Sequence, residues 1–185
     1  MKKILLASLI VTASTASFAV TGDTPAATAT VTNVNGGKVT INGEITAGAC
    51  AISSDDANKV VTLDTIPSNK FTAANQVADT KKQFTITLVD CDTSAAKTVD
   101  LTFTGMSDST ISTALANTAG AGAAKNVAVQ LYQDTGAVLP LNTATRAYDI
   151  AATVPMLFAA DYISTAANVT AGKVLSVANF QLSYQ

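Results

Sequence analysis

Apolar and polar residues alternate one by one along much of this chain, and this period of two restricts the fold more than any other feature of the sequence. Successive side chains of a β-strand point to opposite faces of a sheet, so the alternation predicts strands with one buried face. Valine and threonine are abundant here, and both favour strands. The predicted inward faces are Val39, Ile41, Gly43 and Ile45; Val61 and Leu63; Phe84, Ile86 and Leu88; Val99, Leu101 and Phe103; Val127, Val129 and Leu131; Phe158, Ala160 and Tyr162; and Ala178, Phe180, Leu182 and Tyr184.

Clusters of turn-forming residues separate these short strands, and the combination predicts an all-β sandwich. We expect turns or loops at residues 53–58, 92–95 and 119–124, where Gly, Asn, Asp, Ser and Thr accumulate. The pattern also allows one or two turns of helix at residues 109–119, because Ile111 and Leu115 stand four positions apart.

The N-terminus has the features of a secretory signal peptide. Lys2 and Lys3 precede an apolar stretch at residues 4–11, and the small-x-small pattern that favours cleavage follows at residues 17–19. Serine and threonine interrupt the apolar run, which is shorter than the roughly 20 residues of a transmembrane helix. The chain is therefore predicted to consist of a signal peptide at residues 1–19, an N-terminal arm at residues 20–46 and a domain at residues 47–185.

Two cysteines, Cys50 and Cys91, remain in the predicted mature chain. An even number of cysteines in an exported protein predicts a disulfide formed in an oxidising compartment. A zinc site is disfavoured, because the sequence has no histidine and the two thiols lie far from C-x-x-C spacing. We expect the bond to join the start of the domain to the strand of Ile86, and to stabilise the fold by about 4 kcal/mol by restricting the unfolded chain.

The composition argues against catalysis and against binding of nucleic acid. General acid–base catalysis most often uses histidine, and no Gly-x-Ser-x-Gly nucleophile motif occurs. Asp55 and Asp56 are the only adjacent acidic residues, and we interpret them as part of a turn. The net charge of −2 offers no basic surface for nucleic acid. We predict no catalytic residue, no cofactor and no metal. A secreted carbohydrate-binding sandwich is one alternative, and a hydrolase of unknown type is a second that the missing histidine disfavours.

Several short motifs lie at characteristic places in the chain. They are Asn35-Gly36-Gly37-Lys38-Val39-Thr40-Ile41-Asn42-Gly43-Glu44-Ile45 followed by Ala49-Cys50, then Asp90-Cys91-Asp92-Thr93, Val154-Pro155 before Phe158, the penultimate Tyr184, and Gly172 as the fourteenth residue from the end. Together they resemble the chaperone–usher fimbrial subunits, in particular the major type 1 pilins. The resemblance spans essentially the whole mature chain, although residues 20–34 form a longer arm than a major pilin is expected to have.

This resemblance implies an incomplete immunoglobulin-like β-sandwich that is completed by a donor strand from another subunit. In such a protein Val39, Ile41, Gly43 and Ile45 form the donor strand, within residues 20–46. The chaperone and acceptor groove is formed with Gly172, Ala178, Phe180, Leu182 and Tyr184.

The partners that the resemblance implies are identical or related pilin subunits, a periplasmic chaperone and an outer-membrane usher. Such a subunit passes through the periplasm to the cell-surface fimbrium, where the assembled pilus can contact a host receptor. A minor or adaptor pilin is the alternative within the family. An alternative for the arm itself is a hairpin, since Asn42-Gly43 between alternating residues is also typical of a type I′ turn.

Overall fold

The structure is a computed structural model that describes residues 36, 38–43, 45 and 48–185. The predicted signal peptide and the arm at residues 20–34 lie outside the described residues. Contacts between Cα atoms divide the chain into two units, residues 1–43 and 44–185. In the first unit, the described residues have no assigned helix or strand.

The second unit consists almost entirely of antiparallel β-strands, which confirms the all-β prediction. No helix in the described part of the chain is long and apolar enough to cross a membrane. The elements are β1 (Ala51–Ile52), α1 (Ser54–Ala57), a 3-10 turn (Ser68–Lys70), β2 (Lys82–Val89), β3 (Thr98–Gly105), β4 (Leu115–Ala116), β5 (Val127–Gln133), β6 (Tyr148–Asp149), β7 (Thr153–Ser164) and β8 (Ala178–Tyr184).

Two sheets pack around one apolar core. The first has the strand order β1-β2-β7-β5-β4, and the second has the order β6-β3-β8. Alternate side chains of β2, β3 and β7 point inward, and Leu88, Leu101 and Met156 are fully buried there. The rings of Phe103 and Phe158 meet edge to face between the sheets, with centroids 5.1 Å apart. These strands fold together because burying each such side chain contributes about 1.5–3 kcal/mol.

The predicted strand at Val61 and Leu63 is wrong, because this segment has no strand assignment. Both side chains are half-buried, as the alternation predicts, but no backbone N–H or C=O group of residues 58–66 forms a hydrogen bond within the described part of the chain. The segment therefore has the side-chain pattern of a strand without a hydrogen-bonded neighbour.

The helix allowed at residues 109–119 is also not formed. Instead, the carboxylate of Asp108 accepts hydrogen bonds from the backbone N–H groups of Thr110 and Ile111, at 2.8 and 3.0 Å. Such side-chain bonds stabilise a turn in place of a helix. The chain then enters β4, where Leu115 pairs with Val129 and is buried in the core.

The turn predictions are confirmed at two of three places. At residues 92–95 the N–H of Ala95 donates to the carbonyl of Asp92 at 3.2 Å. At residues 119–124 two glycines have positive φ angles of 72° and 77°, which favour glycine. The third cluster, residues 53–58, contains α1 instead of a simple turn, and Asp56 within it is buried with only 4% of its surface exposed.

The disulfide between Cys50 and Cys91 is confirmed, with the two Cα atoms 4.1 Å apart. Cys50 directly precedes β1, and Cys91 follows the end of β2. The bond therefore links the ends of two paired strands and closes a loop with a sequence separation of 41 residues.

We expect thiol labelling of the denatured, unreduced mature protein to detect no free cysteine. Reduction should lower the free energy of unfolding by about 4 kcal/mol, since the loop entropy of the unfolded chain is restored. Denaturant titration of oxidised and reduced protein measures this difference. Two reactive thiols in the unreduced protein would contradict the prediction.

Candidate functional site

The last strand, β8, lies at the edge of its sheet. One side of β8 pairs with β3, in a register that places Ala178 opposite Gly105 and Tyr184 opposite Val99. Among the described residues no strand pairs with its other side. Its side chains alternate between half-buried and exposed along the whole strand. β8 therefore combines an apolar inner face with a row of unpaired backbone groups, an arrangement that can add another strand.

A groove of about 690 Å³ runs beside this edge. Residues 174–180 form one wall and residues 57–63 form the other. Its floor consists of core side chains from both sheets, so the groove opens directly onto the hydrophobic core. The floor residues are Phe84, Ile86, Phe103, Leu115, Val129, Leu131, Ala160 and Tyr162.

Both walls have backbone groups that an inserted strand could use. Beside the unpaired edge of β8, residues 58–66 on the other wall also lack backbone hydrogen bonds within the described part of the chain. Three large apolar side chains on the walls are mostly exposed: Val60 by 84%, Leu175 by 55% and Val177 by 60%. The groove can therefore accept an apolar strand with hydrogen bonds on both of its edges.

The wall at residues 174–180 is held in place by the loop after β4. The side chain of Asn117 donates to the carbonyls of Ala124 and Lys173, at 2.9 and 3.0 Å, and accepts from the N–H of Leu175 at 3.0 Å. The N–H of Thr118 also donates to the carbonyl of Leu175, at 2.7 Å. These bonds fix the segment that leads into β8.

Of the residues predicted for the groove, only some line it. Ala178 and Phe180 line the groove, and the ring of Phe180 lies 6.3 Å from that of Phe103. Leu182 packs on the core from the same face of β8, outside the groove lining. Tyr184 donates its hydroxyl to the carbonyl of Cys50 at 3.3 Å, and burial raises the pKa of this phenol above its ordinary value.

Gly172 does not line the groove. A side chain at this position would collide with the backbone of Gly122, Ala123 and Ala124. The N–H of Lys173 donates to the carbonyl of Gly122 at 2.9 Å, directly beside this contact. Gly172 thus permits the close backbone approach that precedes the groove wall.

The predicted donor residues are exposed where the structure describes them. Val39, Ile41 and Ile45 have exposed fractions of 86%, 90% and 101%, and no atom lies within 4 Å of where Gly43 would carry a side chain. Neither Asn42 nor Gly43 has a positive φ angle. A type I′ turn requires positive φ at both positions, so the described residues do not form this turn at Asn42-Gly43.

Sequence reasoning missed one wall of the groove and the polar residues that hold the walls. The sequence pattern predicted a turn at residues 53–58 and an ordinary strand at Val61 and Leu63, and it did not indicate that this segment borders a groove. The contacts of Asn117 bridge residues far apart in the chain, and no local pattern marks them.

One Ser-x-x-Lys spacing, at Ser94 and Lys97, lies in the turn after Cys91. The hydroxyl of Ser94 donates to the carboxylate of Asp92, and the ammonium of Lys97 donates to the carbonyl of Thr93 at 2.6 Å. The two groups are engaged separately and do not form a nucleophile–base pair.

A sandwich with an apolar groove open to its core, and with unpaired backbone on both walls, defines the class of domains that are completed by a strand from elsewhere. This chain belongs to the Fimbrial protein family, whose model matches residues 39–185. Its relatives include the laminin-binding fimbrial subunit ElfA of Escherichia coli O157:H7, 35% identical over 153 residues that cover 82% of this chain and 85% of ElfA. The probable major fimbrial subunit LpfA of the same organism is 32% identical over 188 residues, covering 100% of this chain and 98% of LpfA.

A solved chaperone–usher pilus has a similar fold, with a TM-score of 0.70 and 27% identity over 85% of this chain and 100% of that chain. These findings confirm the resemblance to fimbrial subunits and the incomplete immunoglobulin-like sandwich. They also confirm the role of a structural pilus subunit. Members of this family are structural proteins of cell-surface pili, in which subunits assemble with one another.

We expect replacement of Phe180 by lysine to reduce the amount of folded subunit. The substitution places a charge on the groove wall and removes the contact with Phe103, and loss of a large core side chain costs about 3–5 kcal/mol. Immunoblotting of the soluble fraction of cell extracts measures the effect. Gln181→Lys is the matched control, since Gln181 is the exposed neighbour on β8. Normal abundance of the Phe180→Lys variant would refute the assignment of Phe180 to the groove.

Proposed function

We propose that this chain builds a chaperone–usher fimbria by donating residues 39–45 of one subunit to the groove of the next. The observation that carries the proposal is that one chain contains both an exposed alternating apolar segment and an open apolar groove. Val39, Ile41 and Ile45 are uncovered, while the groove leaves part of the core accessible.

Strand addition explains both features physically. An added strand gains affinity from main-chain hydrogen bonds and specificity from its alternate side chains, and donor-strand complementation of pilins is an established example. Burial of three aliphatic side chains contributes roughly 5–9 kcal/mol per joint as an upper bound. The backbone bonds to β8 and to residues 58–66 add to this value.

Gly43 has a specific role in this proposal. It stands between Ile41 and Ile45 on the inward face of the donor strand. Glycine within a strand is typical of a place where two backbones approach closely. The donor would therefore lie nearest to the acceptor at Gly43.

The groove also explains the need for a chaperone and an usher. An unpaired edge beside exposed apolar side chains promotes aggregation until it is covered. A periplasmic chaperone that covers β8, followed by an usher that exchanges the chaperone for the next donor strand, prevents this. A head-to-tail joint that does not close on itself then produces a filament.

We further propose a place in the main shaft of the fimbria. The support is the full-length similarity to LpfA, which is named a probable major fimbrial subunit. A minor or adaptor pilin would be present in few copies per fibre, so quantitative mass spectrometry of purified fibres distinguishes the two.

We expect Gly43→Leu to block polymerisation while leaving export intact, because a leucine side chain would clash where the two backbones are closest. Electron microscopy of the cell surface and immunoblotting of the periplasm measure the two effects. Asn42→Leu is the matched control, because it adds the same side chain to the opposite face of the strand. Fibres of normal length from Gly43→Leu would overturn the donor assignment.

Deletion of residues 20–46 should separate the function of the groove from that of the donor strand. The shortened subunit keeps the groove and is expected to bind the chaperone, but it has no strand to donate to a neighbour. Co-purification with the chaperone and the absence of fibres are the expected results. Fibres built from the deleted subunit alone would show that another segment is the donor.

A further inference from the structure

The groove wall at residues 57–63 begins where β1 leaves the edge of β2. The two strands pair only through Ala51–Val89 and Ile52–Leu88. At the next residue of β2, the carbonyl of Thr87 still accepts the N–H of Ser53 at 3.0 Å. Beyond Ser53 the chain turns through α1, so no further backbone carbonyl of this strand reaches the N–H of Thr87.

The carboxylate of Asp56 takes the place of that missing carbonyl. Its Oδ2 accepts the N–H of Thr87 at 2.7 Å, and its Oδ1 accepts the ammonium of Lys59 at 2.6 Å. Burial raises the pKa of Asp56, but the hydrogen bonds from Lys59 and Thr87 outweigh burial and hold this pKa below its ordinary value. The side chain is therefore a buried, ionised group with both oxygens bound.

The wall that follows has no comparable support. Lys59 lies at its start, and residues 58–66 form no backbone hydrogen bonds within the described part of the chain. Half-buried Leu63 packs on the core, whereas Val60 is 84% exposed. In contrast, the wall at residues 174–180 is held by backbone bonds as well as by Asn117.

We propose that Asp56 is a positioning residue for the acceptor groove. Asp56 binds both Thr87 of β2 and Lys59 of the wall. It thereby fixes the direction in which the chain runs from the edge of β2 into residues 57–63, and it holds this wall where an incoming strand can pair with it. The inference rests on the proposed function, because it assigns Asp56 a part in donor binding beyond its contribution to stability.

The test compares donor binding with thermal stability in four proteins: the wild-type mature chain and its Asp56→Ala, Asp56→Asn and Asp55→Ala variants. The probe is a fluorescent synthetic peptide of residues 36–47, and its dissociation is followed by anisotropy after addition of excess unlabelled peptide. All measurements are made where circular dichroism shows each protein to be folded. The N-terminal arm at residues 20–46 is the same in all four proteins, so any competition between this arm and the peptide is the same in each.

We expect the peptide to dissociate about 10- to 100-fold faster from Asp56→Ala, since a hydrogen bond to a buried charge is worth about 1.5–3 kcal/mol. Asp56→Asn should have an intermediate rate, because the amide oxygen still accepts the N–H of Thr87 but carries no charge for Lys59. Asp55→Ala should match the wild type, because Asp55 is an exposed carboxylate on the same helical turn.

A purely structural role gives a different result. If Asp56→Ala lowers the Tm but releases the peptide at the wild-type rate, the inference is wrong. If Asp56→Ala does not fold, Asp56→Asn decides the question, and a wild-type rate for it would overturn the inference. If the wild-type chain binds no peptide, the proposed function fails and the positioning role falls with it. Binding with equal rates in all four proteins refutes the positioning role alone.

Discussion

One edge of β8 forms no backbone hydrogen bonds to another strand within the described chain, and the rest of this structure depends on that unpaired edge. A sheet edge beside an open core is unfavourable, because both polar backbone groups and apolar side chains are left to solvent. The chain nevertheless places its clearest alternating pattern at this edge, where half-buried Ala178 and Phe180 line the groove and the residue between them, Asn179, is exposed. Such a surface is consistent with a domain whose stable form includes a further strand.

The two groove walls are built differently. The wall at residues 174–180 follows a close backbone approach at Gly172 and is bound by Asn117 and Thr118. The opposite wall is attached through Asp56 at its start and otherwise by packing of its side chains. One wall is thus continuous with a sheet, while the other is a free segment.

Local pattern predicted most of the fold, because alternation reports directly which face of a strand is buried. It succeeded for β2, β3 and β8, whose inward faces are those read from the sequence. In β5 and β7 the predicted faces are also largely buried, but so are Gln130 and Asp161 on the opposite faces, because these two strands lie inside the five-stranded sheet. It failed at Val61 and Leu63, since side-chain alternation carries no information on whether a backbone neighbour exists. It also failed at residues 109–119, where the hydrogen bond from the N–H of Ile111 to the carboxylate of Asp108 and the pairing of Leu115 with Val129 outweighed weak helical spacing. The hydrogen bond between Asp56 and Thr87 could not be predicted from local pattern, because the two residues lie 31 positions apart. The donor and groove residues came from the family resemblance, which carries information on a second chain that one sequence's periodicity lacks.

The floor of the groove is the hydrophobic core itself, and this has a consequence for the mechanics of the proposed fibre. Phe103 and Phe84 would touch a donor strand on one side and their own sheets on the other. The cooperative unit of the fibre would then span two polypeptides, and no joint could be separated without exposing a domain interior to water. Rupture under tension would resemble forced unfolding more than dissociation of two surfaces, and its rate would be set by an unfolding barrier. A filament of non-covalent links can in this way withstand loads for as long as its subunits remain folded.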